Sequence, residues 1–286
     1  MQTEAKAPEV PRLSSSIANI IVTKSPLHAY DKHRLLGGNK SASTDAMEEG
    51  KLLEKFILNH DLDKLCIVEA DNWKSKAAKE AWELAELKGL QAVLQREADE
   101  AKTASDRILK SFLEMGHDLR STTGQAQVRM EWTVDGVNCS GVIDYLDAAK
   151  GIIYDFKTTS DASDKKIQRS IFDFGYDIQA NAYEEAVGIK YPERLGRIKT
   201  FFLFAETKAP FAINPVQLAG SMSELGRRKW SRAKETWKEC LASGVWPGYA
   251  MPNKRIEATA WQLSAEMEAN LTGGDFEVVG ELGGMQ

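Results

Sequence analysis

The segment from Gln125 to Thr158 constrains the fold more than any other part of the chain, because its hydrophobic pattern specifies three consecutive strands. Apolar residues occupy every second position from Val128 to Val134, which is the period of a half-buried strand. Asp135-Gly136 then predicts a tight hairpin turn, and a second strand runs to about Tyr145. After a further turn, Ile152–Thr158 is rich in β-branched and aromatic residues and predicts a third strand. We therefore predict a three-stranded antiparallel meander.

Two carboxylates and a lysine converge in this meander. Successive side chains of a strand point to opposite faces, so Asp155 and Lys157 share one face and Phe156 lies on the other. Asp144 can reach this pair from the neighbouring strand. We therefore expect the three polar side chains to form one group.

The chemistry of this group indicates a metal-dependent nuclease. Two neighbouring carboxylates repel each other unless a hard divalent cation binds between them, and Mg²⁺ prefers such oxygen ligands together with substrate phosphate. Lys157 would orient an attacking water or neutralise charge in the transition state. The alternative is that an aspartate beside a turn and a solvent-exposed ion pair lie here without a catalytic role.

Two further groups of candidate residues lie on predicted helices. On a helix from about Ser43 to Asn59, Glu54 falls within the apolar arc, where a carboxylate is costly unless it is paired, hydrogen-bonded or bound to a metal. Gly50, one turn earlier, leaves room for a close approach. Gln179 and Tyr183 are four residues apart and share a helix face after the third strand. Alternatively, Glu54 reaches solvent or pairs with a base, and Gln179 and Tyr183 form an ordinary half-exposed polar pair.

The formal net charge of −5 is distributed unevenly along the 286 residues. Six acids and no Lys or Arg follow Arg255, and without those six acids the formal charge changes from −5 to +1. Two basic clusters could follow a phosphate backbone, or could equally be ordinary solvated helix faces. The candidate DNA-binding residues in these clusters are Lys165, Lys166, Arg169, Arg227, Arg228 and Lys229.

Composition places the chain among globular proteins. At 43% hydrophobic residues it can bury a core as one large domain or two small ones. No apolar run approaches the roughly 20 residues that span a bilayer, and the polar N-terminus lacks a signal-peptide core. The three cysteines, Cys66, Cys139 and Cys240, are far apart, which suits reduced thiols and excludes a four-cysteine metal site. We therefore expect a protein of the bacterial cytoplasm that does not interact with membranes.

We expect three regions along the chain: a flexible arm over residues 1–16, one domain over residues 17–255 and an acidic tail over residues 256–286. The domain would contain a helical insertion at about 72–115, which is rich in Ala, Lys and Glu. We predict an α/β fold of mixed α+β character, in which helices flank a central mixed β-sheet. The remaining predicted elements are helices from Ser25 to about Leu36, over Phe172–Val187 and over Pro215–Ser243, and a buried strand over Ile198–Glu206.

In this order, the motifs resemble those of the PD-(D/E)xK nuclease superfamily, and within it the RecB-like phage and prophage exonucleases typified by exonuclease VIII (RecE). Asp144 matches the motif aspartate, Asp155-Phe-Lys157 the (D/E)xK sequence and Gln179-x-x-x-Tyr183 the QxxxY helix motif. Other matching segments are Ser25-Pro-Leu-His-Ala-Tyr30, Gly50-Lys-Leu-Leu-Glu54, Asn72-Trp-Lys-Ser-Lys-Ala-Ala-Lys79 and Trp246-Pro-Gly-Tyr249.

Two positions depart from the pattern of these nucleases. Glu54 stands where a histidine metal ligand is common, and a glutamate there still suits Mg²⁺. Gln127 stands where a glutamate is common, and Glu131 nearby is a second candidate for that outer metal ligand. The number of metal ions, one or two, depends on this position.

The resemblance implies a restriction-endonuclease-like core that hydrolyses DNA phosphodiesters by 5′→3′ resection of double-stranded ends in phage-type recombination. It implies one or two Mg²⁺ ions, replaceable by Mn²⁺, held by Glu54, Asp144, Asp155 and the backbone carbonyl of Phe156. It also implies a single-strand annealing protein as partner and a ring-shaped homo-oligomer, a trimer or tetramer. The alternatives are a non-catalytic DNA-binding or assembly protein on the same fold, and an endonuclease or single-strand nuclease of the same superfamily.

Overall fold

A computed structural model describes residues 9–39, 45–249 and 255–272. The chain divides into two compact units, residues 1–248 and 249–286. The described residues form nine α-helices: α1 (Ser15–Thr23), α2 (Pro26–Lys32), α3 (Asp45–Leu58), α4 (Lys76–Leu87), α5 (Gln95–Glu114), α6 (Asp164–Phe174), α7 (Tyr176–Lys190), α8 (Gly220–Ser243) and α9 (Ala260–Thr272). The strands are β1 (Leu65–Val68), β2 (Gln91–Leu94), β3 (Gln125–Val134), β4 (Val137–Asp147), β5 (Ile152–Thr159), β6 (Lys199–Glu206) and β7 (Ile213–Val216).

A five-stranded mixed sheet forms the centre of the first unit, with the strand order β3-β4-β5-β6-β7. Neighbouring strands are antiparallel except β5 and β6, which run parallel. The hairpin between β3 and β4 turns at Asp135 and Gly136, whose φ angles of 52° and 77° match the twist of the two strands. The predicted meander and the predicted mixed sheet flanked by helices are therefore confirmed.

Helices cover both faces of this sheet. On one face, Ile57 of α3 and Phe112 of α5 pack in one buried cluster with Phe156 of β5. On the other face, Trp230 of α8 belongs to a second buried cluster, together with Ile153 of β5. Because side chains alternate along a strand, these two residues of β5 mark the opposite faces of the sheet. The strand that carries Asp155 and Lys157 is thus buried on both sides.

Three elements differ from the sequence prediction. The predicted helix Phe172–Val187 is two helices, α6 and α7, because Gly175 adopts the left-handed conformation between them (φ 69°). The predicted helix from Pro215 begins only at Gly220, since Ile213–Val216 pairs with β6 as the edge strand β7, where proline is tolerated. The strand β2 lies within the expected helical insertion and forms a separate parallel pair with β1, which precedes that region.

The folded part of the chain begins before Ile17, where we expected the flexible arm to end. Leu13 is fully buried, its N–H donates to Asn138 O at 2.8 Å, and its carbonyl accepts from Ser140 N at 3.0 Å. Helix α1 follows at once with Ser14 as its N-cap. Residues 1–8 of the expected arm lie outside the described residues, as do residues 43 and 44 of the second predicted helix.

The second unit contains one described helix, α9, within the expected acidic tail. Its side chains Trp261, Leu263 and Met267 are exposed. Residues 273–286 of the tail lie outside the described part of the chain. Across the residues that the structure describes, no helix combines the length and the hydropathy that crossing a bilayer requires.

Candidate active site

The candidate site lies where strands β4 and β5 separate. Their ladder ends at the pair Tyr145 and Tyr154, whereas β5 stays paired with β6 along its length. Beyond that pair, the side chain of Asp144 replaces the missing strand partner, because Phe156 N donates to Asp144 Oδ2 at 2.9 Å. The split therefore holds the Asp144 carboxylate against the Asp155-Phe-Lys157 segment of β5.

A chain of hydrogen bonds connects β5 with helix α7. Asp155 is only 1% exposed and forms an ion pair with Lys157. Gln179 Nε2 donates to Asp155 Oδ1 at 2.9 Å and to Tyr183 Oη at 3.2 Å. The Tyr183 hydroxyl donates in turn to the Val142 carbonyl of β4 at 2.7 Å. The structure thus brings the two predicted α7 side chains to the predicted strand residues.

Two glycines allow the helices to approach the sheet closely. A Cβ atom at Gly141 would lie 2.6 Å from Tyr183 Cε1, which is too short for any real contact. A Cβ atom at Gly50 would lie 2.6 Å from Thr158 Oγ1 of β5. The predicted role of Gly50 therefore has a structural basis, since it lets α3 bring Glu54 to the site.

Gln127 connects two carboxylates at the site. Its Nε2 donates to Glu54 Oε1 at 3.2 Å and lies 3.5 Å from Asp144 Oδ1. In the β3/β4 ladder Gln127 lies between the pairs Ala126/Tyr145 and Val128/Ile143, and its φ angle is 51°. A non-glycine residue in this left-handed region costs about 1–3 kcal/mol and is often found at functional sites. The strand is thus locally distorted at the point where the amide reaches both carboxylates.

Burial raises the pKa of the three carboxyl groups. The pKa of Asp144 lies well above its usual range, because desolvation is reinforced by the charge of Asp155. Desolvation also raises the pKa of Glu54 and of Asp155, and in both cases the Lys157 charge opposes it. Burial lowers the pKa of Lys157, but the charges of Asp155 and Asp144 raise it by more, so the ammonium stays protonated. Three acidic side chains therefore face one basic side chain, and a bound cation would neutralise the excess negative charge that the acids carry when ionised.

The donor atoms of the site fit a hard divalent cation. Glu54, Asp144 and Asp155 offer carboxylate oxygens, the ligands that Mg²⁺ and Mn²⁺ take. As the side chains stand, no three His, Cys, Asp or Glu residues of the described ranges form a group that could hold a metal ion. Asp155 is turned towards Lys157, and the amide of Gln127 reaches both other carboxylates. The N–H groups of this amide thus face the two carboxylates with partial positive charge, where a bound cation would do the same.

Three further residues were candidate metal ligands: Glu131, Gln127 and, through its backbone carbonyl, Phe156. Glu131 does not reach the site, because it forms ion pairs with Arg12 at 3.1 Å and with Arg129 at 3.0 Å. Gln127, with its distorted backbone, lies instead beside the carboxylates of Glu54 and Asp144. The Phe156 side chain packs edge-on against Phe112 in the core, so only its backbone faces the site.

The predicted DNA-binding residues of α6 and most of those of α8 lie on the surface. Lys165, Lys166 and Arg169 are exposed on α6, and Arg169 pairs with Asp173 on its own helix. On α8 the exposed side chains of Arg227 and Arg228 both pair with Glu224.

Lys229 departs from the prediction that it binds DNA. Its side chain is 12% exposed, and its Nζ donates to Oδ2 of the fully buried Asp177 at 2.7 Å. The same ammonium lies 4.7 Å from the centroid of the Phe172 ring. Lys229 therefore neutralises a buried charge between α7 and α8.

The sequence analysis missed Tyr176, the first residue of α7. Its ring centroid lies 4.5 Å from Lys157 Nζ, and its ring stacks on Phe202 at 5.5 Å. The signal is in the spacing, since Tyr176 precedes Gln179 by three residues and Tyr183 by seven, which places all three on one helix face.

Comparisons with known proteins identify relatives of this fold. A model of the PDDEXK-like domain of unknown function (DUF3799) matches residues 17–257. No curated protein matches the sequence significantly. Among solved structures, a protein from Eubacterium rectale assigned as an exonuclease aligns over 93% of this chain and 94% of its own, with 14% identity and a TM-score of 0.55. A phage-related exonuclease from Haemophilus somnus 129PT aligns over 68% of this chain and 95% of its own, with 13% identity and a TM-score of 0.33.

Proposed function

The chain belongs to the family of PDDEXK-like domains, and from this premise we propose that the protein is a divalent-metal-dependent deoxyribonuclease. The reaction is the hydrolysis of phosphodiester bonds at the ends of double-stranded DNA. It proceeds in the 5′→3′ direction and takes place in the bacterial cytoplasm. The observation that carries the proposal is the group of three carboxyl groups with raised pKa around protonated Lys157 at the β4/β5 split. Without a cation the excess of buried carboxyl groups over bases costs stability, so a purely structural role does not account for the whole group.

The acids of the group share one role in this proposal, which is to hold the cation. Glu54, Asp144 and Asp155 would hold Mg²⁺ or Mn²⁺, with the Phe156 carbonyl as a further oxygen donor. A bound divalent cation supplies a water of lowered pKa and stabilises charge on the scissile phosphate.

The side chains around these ligands position the reacting groups. Lys157, kept protonated by its acidic neighbours, would orient the water and donate to a phosphate oxygen. Gln179 holds the Asp155 carboxylate in one orientation, and Tyr183 holds Gln179. Both are tied to β4 through the Val142 carbonyl, so helix and strand fix the same carboxylate.

Digestion of two DNA substrates tests the activity. With Mg²⁺, the protein should digest a linear duplex labelled at one 5′ end, release the label early, and spare a closed circular duplex. Lys157→Ala and Asp155→Asn should each lose about 10²-fold or more in rate, as expected when a charge-stabilising group is removed. Lys110→Ala, on an exposed position of α5 outside both basic clusters, serves as the control and should retain the wild-type rate.

The other outcomes would identify the alternatives. Cleavage of the circle would indicate an endonuclease, and cleavage restricted to single strands a single-strand nuclease. Binding of DNA with no cleavage in Mg²⁺ or Mn²⁺ would indicate a non-catalytic protein on the nuclease fold. Early release of a 3′ label would reverse the proposed direction.

We further propose a ring-shaped homo-oligomer and a single-strand annealing protein as partner, as the resemblance implies. A ring that encloses the duplex would give processive digestion without tight contacts. Mass photometry at the working concentration should show a trimer or tetramer, and a monomer would contradict the ring.

A further inference from the structure

Helix α6 exposes two phenylalanines beside the candidate site. Phe172 and Phe174 are 56% and 62% exposed, although phenylalanine is usually buried. The Phe174 ring lies 5.8 Å from the Tyr176 ring, and the Tyr176 ring lies 4.5 Å from Lys157 Nζ. Two aromatic rings therefore lead from the proposed catalytic ammonium to the surface.

The backbone fixes this arrangement of rings. Gly175, in the left-handed conformation, makes the corner between α6 and α7 and so places Phe174 and Tyr176 next to each other. A Cβ atom at Gly175 would lie 2.5 Å from Asn19 Cγ, which shows how closely the corner packs on α1. The exposure of Phe174 is thus a property of a well-packed corner.

Phe172 is supported from below. The Lys229 ammonium lies 4.7 Å from its ring centroid, and that ammonium is anchored on the buried Asp177. One side of the Phe172 ring is therefore held by a fixed cation, while more than half of the side chain remains exposed. A flat apolar surface supported in this way suits stacking by a second flat ring.

Charge favours a polyanion on α6 and disfavours one in the groove beside α3 and α5. Lys165, Lys166 and Arg169 are exposed on the same helix as the two phenylalanines. By contrast, the open groove of about 1910 Å³ between α3, α5 and the β6–β7 loop carries many acids. Among those acids are Glu48, Glu49, Glu69, Asp71, Glu97 and Glu100. A DNA strand would be attracted along α6 and repelled from the groove.

We propose that the α6 surface, formed by Lys165, Lys166, Arg169, Phe172 and Phe174, binds single-stranded DNA next to the catalytic centre. Unpaired bases stack on the two rings, and the basic side chains contact the phosphates. The bases of an intact duplex are stacked on each other and cannot reach a protein ring, whereas any unpaired base presents a free face. The inference rests on the proposed nuclease function and specifies its substrate as a DNA end whose terminal bases are unpaired.

Binding measured without cleavage tests this surface. Fluorescence anisotropy in EDTA would compare a short fluorescein-labelled oligothymidylate with a blunt duplex of the same length. Phe174→Ala and Phe172→Ala should each weaken binding of the oligothymidylate by about 5- to 150-fold, the usual effect of removing one stacking ring. Binding of the blunt duplex should change by less than about twofold. Phe174→Trp, which keeps a stacking ring, should bind like the wild type.

A basic variant provides a matched comparison on the same helix. Lys166→Gln should weaken both probes to a similar extent and reduce the dependence of binding on salt by about one unit of slope, because it removes a phosphate contact and no stacking contact.

Several results would overturn the inference. These are a wild-type protein that does not bind the oligothymidylate, Phe174→Ala binding it within twofold of wild type, and equal losses for both probes. Unchanged DNA binding in Phe174→Ala together with a lower mass in sedimentation would show instead that the rings join subunits. Single-strand binding without any DNA cleavage would refute the nuclease and leave this surface intact. DNA cleavage by the wild type, together with unchanged single-strand binding by Phe174→Ala, would support the nuclease and refute the role of this surface.

Discussion

Replacement of Lys229 by methionine should destabilise the fold strongly, although the sequence places Lys229 in a basic cluster. The Asp177 carboxylate is fully buried and accepts from Lys229 Nζ at 2.7 Å. Methionine keeps much of the apolar stem of lysine but removes the charge. Among the hydrogen bonds described, the Asp177 carboxylate would then accept only from the backbone N–H of Ile178, at 3.0 Å.

The expected loss is large because a charge is left unpaired in the interior. Removing one partner of a buried ion pair costs about 3–5 kcal/mol. In a chain of this size 1 kcal/mol shifts the Tm by about 2–4 °C, so the Tm should fall by about 6–20 °C. Arg228→Met is the matched control, since Arg228 pairs with the exposed Glu224 and should cost less than about 1 kcal/mol.

Thermal unfolding followed by circular dichroism would measure these changes. The double variant Asp177→Asn/Lys229→Met should recover most of the lost stability, because it removes the unpaired charge together with its former partner. The reasoning would be refuted if Lys229→Met melted within about 2 °C of wild type while binding DNA more weakly. That result would return Lys229 to the DNA-binding surface.

Four further predictions concern the site. Asp144→Asn should abolish cleavage yet raise the Tm in EDTA, because asparagine still accepts from Phe156 N without a buried charge; a lower Tm in EDTA would contradict this. Since the pKa of Asp144 is raised, the metal-free fold should lose stability as pH rises above the ordinary carboxyl range, while Mg²⁺ affinity from calorimetry should increase. A Mg²⁺ affinity independent of pH would argue against buried carboxyl ligands. Gln127→Glu should raise the calorimetric Mg²⁺ stoichiometry from one to two; an unchanged stoichiometry would place the outer ligand elsewhere. Gly141→Ala should displace the Tyr183 ring at a cost of about 1–3 kcal/mol and slow cleavage without weakening single-strand binding; wild-type cleavage would show that the ring position is not needed.

Local patterns predicted the parts of the site that depend on one element or on neighbouring elements. Strand alternation assigned Asp155 and Lys157 to one face, and the four-residue spacing on a helix put Gln179 with Tyr183. The apolar arc of α3 identified Glu54 as a carboxylate in an unusual place. In the structure all five side chains contribute to one network of contacts and charges.

Properties that depend on distant contacts could not be predicted from these patterns. Whether Lys229 reaches solvent is decided by Asp177, which lies 52 residues away in sequence. The left-handed conformation of Gln127 occurs together with contacts to two carboxylates on other elements, and nothing in the alternating pattern of β3 marks it. The break between α6 and α7, by contrast, could have been predicted from Gly175, because a glycine inside a helical pattern often ends a helix.

In the proposed enzyme the separation of β4 and β5 gives Asp144 two duties, as a metal ligand and as a hydrogen-bond acceptor for the backbone, and this shapes how the position can vary. Its carboxylate completes the backbone hydrogen bonding of β5 at Phe156, so a side chain that cannot accept there leaves a buried N–H unpaired at about 1–3 kcal/mol. A descendant that abandoned cleavage would still be under selection to keep an acceptor at this position. Lys157 has a structural part of a different kind, since its ammonium pairs with Asp155, which is only 1% exposed, and removing one partner of a buried ion pair costs about 3–5 kcal/mol. Among relatives, an acceptor kept at position 144 is therefore by itself a poor sign of a working enzyme.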